Sequence, residues 1–245
     1  MCAPWICEVG TVRYVLFDLD GTLLPMDQDK FVNGYFGVLA KKLAPYGYEP
    51  QKLIRSIWGG IAAMVKNDGA ETNEAVFWDY FTGVYGEKAR EDIPVFEEFY
   101  AAEFQQARSL CGYTPRAAET VALVRSLGAV PVLATNPLFP DVATRSRIHW
   151  AGLEPEDFAL YTTYENICWC KPNPEYYREI LRRLGADGSD CLMVGNDAGE
   201  DTPAEKTGME VFLLTDCLID RGADISRWAN GGFDALQTWL RERLQ

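Results

Sequence analysis

Histidine is almost missing from this chain: His149 is the single copy in 245 residues. Ser-His-Asp and Cys-His sites need an imidazole aligned with the nucleophile, and zinc sites draw on histidines and cysteines at fixed spacing. One histidine, next to Trp150 in a helical stretch, argues against all of these and reads as a packing or surface residue. The seven cysteines are an odd count for a large chain and read as reduced thiols, not as a disulfide framework. Cys168-x-Cys170 has no second pair at zinc-finger spacing. Apolar runs all fall short of the roughly 20 residues a membrane span requires. Met1 to Gly10 lacks the basic start and long apolar core of a signal peptide, so a cytoplasmic protein is expected. Positive charge is scarce as well, with 23 lysines and arginines against 36 aspartates and glutamates, a net charge of −13. Such a field repels nucleic acid and anionic membranes, so neither is expected as a partner. An anionic substrate then requires a cleft where a metal and a well-placed lysine or arginine reverse that field.

The remaining composition is that of a globular chain long enough for a large core, without internal repeats or low-complexity tracts. Strand-like apolar runs stand at Val12 to Phe17, Ala129 to Thr135, Phe158 to Thr162, Cys191 to Val194 and Val211 to Leu214. From the second onward they alternate with helices. Thr114-Pro115 has the pattern of an N-cap and first-turn proline, with Gly128 as the stop, and Pro174 to Leu184 forms another helix ended by Gly185. A last amphipathic helix is expected from Phe233 to Arg243. This alternation predicts an α/β fold: a parallel sheet with helices on both faces, its chemistry at the carboxyl ends of the strands.

Between the first two strands, roughly Gln28 to Ser109, the texture changes to helical throughout. Apolar residues recur at helical spacing in Phe31, Tyr35, Val38 and Leu39, in Leu53, Ile57, Ile61 and Met64, and in Phe77, Tyr80, Phe81 and Val84. Pro45-Tyr46-Gly47, Asn67-Asp68-Gly69 and Tyr85-Gly86 provide breaks. A helical insertion here is expected to cover the strand ends. Its aromatic stripes read as bundle core, and Trp58-Gly59-Gly60 as a packing break or a specificity loop.

The chemistry concentrates at four strand ends. Asp18-Leu19-Asp20-Gly21-Thr22 follows the first run, and residues two apart in an extended chain point to one side, which aims two carboxylates at one small volume. Two adjacent acids invite a hard divalent cation, which lets a carboxylate stay ionised. Thr135-Asn136 ends the second strand with a hydroxyl and an amide suited to an oxyanion. Lys171-Pro172 offers a compact positive charge before a helix. Gly195-Asn196-Asp197-Ala198-Gly199-Glu200-Asp201 ends the fourth strand in an acidic glycine turn. From there Asp197 can reach a metal held by Asp18, and Asp201, one helical turn on, can orient Asp197, bound water or Lys171.

These four elements in this order resemble the motif set of the haloacid dehalogenase-like superfamily across essentially the whole chain. The resemblance implies a Rossmann-like core of residues 1–26 and 110–245 and a helical cap domain of residues 27–109. It implies Asp18 as nucleophile and Asp20 as general acid/base, with Thr135, Asn136 and Lys171 binding phosphate. It further implies Mg²⁺ held by Asp18, by the backbone carbonyl of Asp20 and by Asp197. Many members carry an aspartate directly after the last motif's glycine, where this chain has Asn196. Asn196 can coordinate through its carbonyl oxygen, and Asp201 stands between a ligand and a supporting group.

The expected activity is hydrolysis of a small phosphorylated metabolite through an aspartyl-phosphate. The dehalogenase branch lacks an acid at the place of Asp20, which favours phosphoryl transfer. A phosphomutase uses the same residues and is the alternative within the family. A non-catalytic Mg²⁺- or phosphometabolite-binding protein, and a receiver-type phosphoacceptor, are the alternatives outside it.

Overall fold

The computed structural model describes residues 12–245, so the first eleven residues of the expected core lie outside it. Strands β1 (Tyr14–Phe17), β2 (Val130–Leu133), β3 (Cys191–Gly195), β4 (Glu210–Leu214) and β5 (Ala229–Gly231) form one parallel sheet in the order β2-β1-β3-β4-β5. β1 is central, with Phe17 level with Leu133 on one side and with Val194 on the other. A parallel sheet buried on both faces needs strands that are apolar throughout, and alternate residues here divide between two cores. Val15, Phe17, Val194 and Leu214 enter one hydrophobic cluster, and Leu16, Met193, Val211 and Leu213 the other.

The expected run Phe158 to Thr162 does not become a full strand. Tyr161 makes one bridge to Leu133, while Ala159 N donates to Pro131 O and Thr162 N to Leu133 O, so the segment is an edge strip beside β2. A 3-10 turn at Pro155–Asp157 leads directly into this strip. β5 has no apolar run to announce it.

The insertion after β1 holds five helices: α1 (Gln28–Leu43), α2 (Pro50–Val65), α3 (Asn73–Tyr85), α4 (Lys88–Glu91) and α5 (Ile93–Ala101). A 3-10 segment, Glu103–Leu110, follows them. Asp27, Glu49 and Thr72 cap α1, α2 and α3 through side-chain oxygens that accept backbone N–H groups, and Gly47 takes the left-handed conformation between α1 and α2. Trp58-Gly59-Gly60 is neither a break nor a loop; it lies inside α2. There Gly59 and Gly60 leave room for Tyr80 and Phe77 of α3, which a Cβ at either position would strike.

The remaining helices are α6 (Pro115–Ser126), α7 (Asp141–Trp150), α8 (Pro174–Leu184) and α9 (Phe233–Arg243). α6 starts at the Thr114 cap, and α8 ends on left-handed Gly185. Val121 of α6 and Leu236 of α9 bury on one face of the sheet, and Tyr176 and Ile180 of α8 on the other. Each such fully buried side chain contributes about 1.5–3 kcal/mol from removal of apolar surface.

The chain enters and leaves the insertion at adjacent points: Met26 bridges Cys111, and Gly112 N donates to Pro25 O at 2.7 Å. Further contacts hold the insertion down. Glu74 N donates to Tyr164 O, Asn73 N to Ile167 O, and Trp150 Nε1 to Gln105 Oε1 at 3.1 Å. The five cysteines among the described residues are free thiols, and no described helix is long and apolar enough to cross a membrane.

Candidate active site

With β1 flanked by β2 and β3, the carboxyl ends of three neighbouring strands face one crevice, where the strand order changes direction. Asp18, Asp20, Thr135, Asn136, Asn196, Asp197 and Asp201 all line a single cavity of about 310 Å³ there.

Lys171 organises the floor. Its ammonium is buried and donates to Asp18 Oδ1 at 2.8 Å and to Asp201 Oδ1 at 2.6 Å. Burial alone would favour the neutral amine, but the two carboxylates outweigh it and hold Lys171 protonated. Burial pushes the Asp18 carboxyl above its ordinary range, against the pull of Lys171. The same balance brings Asp201 to about 6. Asp201 is a supporting group: its Oδ2 accepts the backbone N–H of Asn196 at 3.0 Å and of Asp197 at 2.9 Å. Gly195 is required beside it, since a Cβ there would meet the Asp201 carboxylate.

Asp20 is bound by a residue that the motifs did not include. Arg147, on α7 and wholly buried, donates through Nη1 to Asp20 Oδ2, while its Nη2 donates to Thr144 Oγ1 and its guanidinium lies 4.1 Å from the Phe139 ring centre. Burial raises the Asp20 carboxyl and Arg147 opposes the rise. Asp20 Oδ1 is buried without a protein partner. The sequence carried a signal for Arg147: Ala143, Thr144, Arg147, Ile148 and Ala151 form one helical stripe, buried throughout, in which arginine is the odd member.

Thr135 is buried at the cavity wall, and its carbonyl accepts from Thr162 Oγ1 and Tyr176 Oη. The Asn136 side chain is engaged by protein, accepting Lys171 N at 3.2 Å and donating to Glu200 Oε2 at 3.0 Å. Asp197, expected as a metal ligand, lines the same cavity with its carboxylate engaged by protein. Its carboxylate takes Arg221 Nε and Nη2 together with the N–H groups of Gly199 and Glu200. The cause is local: an aspartate at the start of a glycine turn closes the turn through its own side chain, and Arg221, in the left-handed region at φ 52°, approaches from the next strand's loop.

The residues of this site fit a hard cation without Asp197. The Thr22 hydroxyl lies 3.2 Å from Asp18 Oδ2 and 2.9 Å from Asn196 Oδ1, and its one proton can serve only one of them. The carbonyl of Asp20 has a single distant donor, Gln28 Nε2 at 3.5 Å. Asp18, Asn196 and that carbonyl are thus incompletely satisfied oxygen donors of the kind Mg²⁺ takes. Among the described residues no group of three or more histidine, cysteine or acidic side chains is arranged around a metal position. The carboxylates of Asp18, Asp20, Asp197, Glu200 and Asp201 outnumber the cations Lys171, Arg147 and Arg221, so a phosphate dianion needs added positive charge here.

The chain is similar to known proteins over most of its length. The chain is 25% identical over 247 residues to a bifunctional riboflavin kinase/FMN phosphatase of Arabidopsis thaliana, an alignment covering 94% of this chain and 58% of that protein. The chain therefore spans less than two thirds of that relative's length. It is 26% identical over 202 residues to a phosphoglycolate phosphatase of Neisseria gonorrhoeae, covering 80% of this chain and 77% of the relative. The crystal structure of a 2-haloacid dehalogenase from Pseudomonas syringae pv. Tomato shares the fold, with a TM-score of 0.62, 20% identity, and coverage of 93% of this chain and 99% of that one. The sequence profile of haloacid dehalogenase-like hydrolases matches residues 12–206, which takes in all four strand-end motifs, and the chain belongs to that family.

Proposed function

We propose that this protein is an Mg²⁺-dependent phosphatase that hydrolyses a small phosphorylated metabolite. The observation that carries the reading is the buried Lys171 bridge between Asp18 and Asp201, next to an Asp20 whose Oδ1 has no protein partner. The Asp18 carboxylate is held beside a cation suited to a phosphoryl oxygen, and a second acid, paired with Arg147 through Oδ2, keeps Oδ1 open for proton transfer.

In this reading a carboxylate oxygen of Asp18 attacks phosphorus, and the P–O bond to the alcohol breaks. Asp20 gives its proton to the departing oxygen, then takes one from the water that attacks the aspartyl-phosphate, which releases phosphate and restores Asp18. Lys171, the Thr135 hydroxyl and backbone amides after Asp18 neutralise charge on the transferring group. Asn136 serves by fixing the backbone of Lys171. Asp18, the Asp20 carbonyl and Asn196 would hold Mg²⁺, with Asp197 steadied by Arg221 at the edge. When bound, the ion supplies charge neutralisation for the phosphate. Residues 27–109 act as the cap domain over a core of residues 1–26 and 110–245, excluding water from the reacting atoms.

The test is phosphate release from p-nitrophenyl phosphate with Mg²⁺ or with EDTA. Wild-type turnover is expected to require the metal and to fall by about 10⁴-fold in Asp18→Asn. Undiminished turnover in the variant overturns the assignment of Asp18. Isomerisation of a sugar phosphate without net phosphate release replaces hydrolysis with mutase activity.

A further inference from the structure

The cavity above the catalytic carboxylates is walled by the insertion, and its chemistry there is one-sided. Tyr35 of α1, Ile57, Trp58 and Ile61 of α2, Phe77 of α3 and Tyr100 of α5 contribute to it. The α2 residues form a single helical face, on which Trp58 and Val65 are 49% and 40% exposed. Large apolar side chains left open around a concave site mark a surface that an apolar ligand covers.

Among the described residues, no lysine, arginine or histidine lines the wall of the cavity, and beyond the catalytic cluster the one charged lining residue is Glu97. Nearby cations are already committed. Lys171 serves Asp18 and Asp201, Arg147 serves Asp20, and Arg221 serves Asp197. The polar groups within the wall are mainly neutral, among them the phenols of Tyr35 and Tyr100, which burial keeps protonated. A carboxylate or second phosphate on the alcohol side of the substrate would lose its hydration, find no cation and face Glu97.

We propose that the substrate is a phosphate monoester of an apolar, ring-bearing alcohol with no second anionic group. This deepens the phosphatase reading and rests on it. The ring stacks among the aromatic side chains of the insertion, neutral oxygens on it meet the two phenols, and the phosphate alone reaches the charged floor. On this ground the chain departs from the reaction named for its phosphoglycolate phosphatase relative.

The test compares 2-phenylethyl phosphate, 2-phosphoglycolate and glycerol 3-phosphate with the whole protein and Mg²⁺. All three are alkyl esters, so leaving-group activation does not favour the aromatic one. kcat/KM for the phenylethyl ester is expected to exceed that for phosphoglycolate by about 100-fold. Trp58→Ala, a truncation of a half-exposed residue, should raise KM for the phenylethyl ester about 10-fold, and by more than it raises KM for glycerol 3-phosphate. Ile61→Arg should narrow the preference by admitting the carboxylate. Faster turnover of phosphoglycolate or glycerol 3-phosphate than of the phenylethyl ester overturns this inference and leaves the phosphatase reading standing. Turnover of no phosphomonoester overturns the phosphatase reading. Calorimetric titration of Asp18→Asn with the phenylethyl and glycolate esters then decides the ligand class without turnover, equal or reversed affinities overturning it.

Discussion

Arg147 ties the Asp20 carboxylate to α7 and to the ring of Phe139. Two forces act on Asp20: burial favours its protonated form, and the guanidinium favours the ionised form. A group that must give a proton and then take one needs both forms within reach, and Arg147 sets the balance. Arg147→Gln removes the force that lowers the Asp20 pKa, so the acidic limb of the kcat–pH profile is expected to move upward. kcat should fall by about 100-fold, with partial recovery in Arg147→Lys. An unmoved limb would mean that Arg147 only packs. Glu200 offers a cleaner titration. Burial pushes its carboxyl from 4.5 up to about 7, against the pull of Lys171. The folded protein thus holds this proton more tightly than the unfolded chain does, and stability from this group is lost as pH rises from about 4.5 through 7. Glu200→Gln is expected to raise the Tm of metal-free protein by about 4 °C at pH 8 and to change it little at pH 5. Equal shifts at both pH values would remove the carboxylate as the cause.

Among the elements, α2 carries two opposed preferences. Alanine favours a helix interior over glycine by about 1 kcal/mol, yet a Cβ at Gly60 would enter the ring of Phe77. Overpacking of this kind costs about 1–3 kcal/mol, so packing wins and Gly60→Ala should lower the urea midpoint; a higher midpoint would contradict the α2–α3 contact. The same pair shows where sequence reading reaches its limit. Strands β1, β3 and β4, the cap Thr114 and helix α8 are legible because their signals are local: an apolar run, a capping oxygen, a proline, a terminal glycine. Gly59-Gly60 misleads because its cause is a partner on another helix. Asp18, Asp20 and Lys171 are legible as a motif set, and the structure brings them together. The Arg221 grip on Asp197 is not legible, since it joins two loops through a left-handed residue with no pattern of its own. Phe158 to Thr162 has strand composition, but it meets β2 through a single bridge at the sheet's edge.

Taken as a whole, the molecule holds its insertion at separate points. Asn73 is one of them: fully buried, it donates through Nδ2 to Trp169 O and accepts from Asn67 Nδ2. Asn73→Ala leaves the Trp169 carbonyl without this donor. It is expected to cost about 1–3 kcal/mol and to speed amide exchange at residues 73–74 more than at β3. Uniform acceleration across the sheet would instead indicate global destabilisation. The hydrogen bond between Gly112 and Pro25 has a different consequence. Because the two crossings already touch, the helices between them form a cassette whose ends meet. The chain could pass from Pro25 to Gly112 without disturbing the order of the sheet. Lengthening such a cassette costs the core only about 0.6 kcal/mol for each doubling of a flexible loop. The residues that meet a substrate beyond its phosphate can therefore be altered within the cassette without moving the carboxylates fixed at the strand ends beneath it.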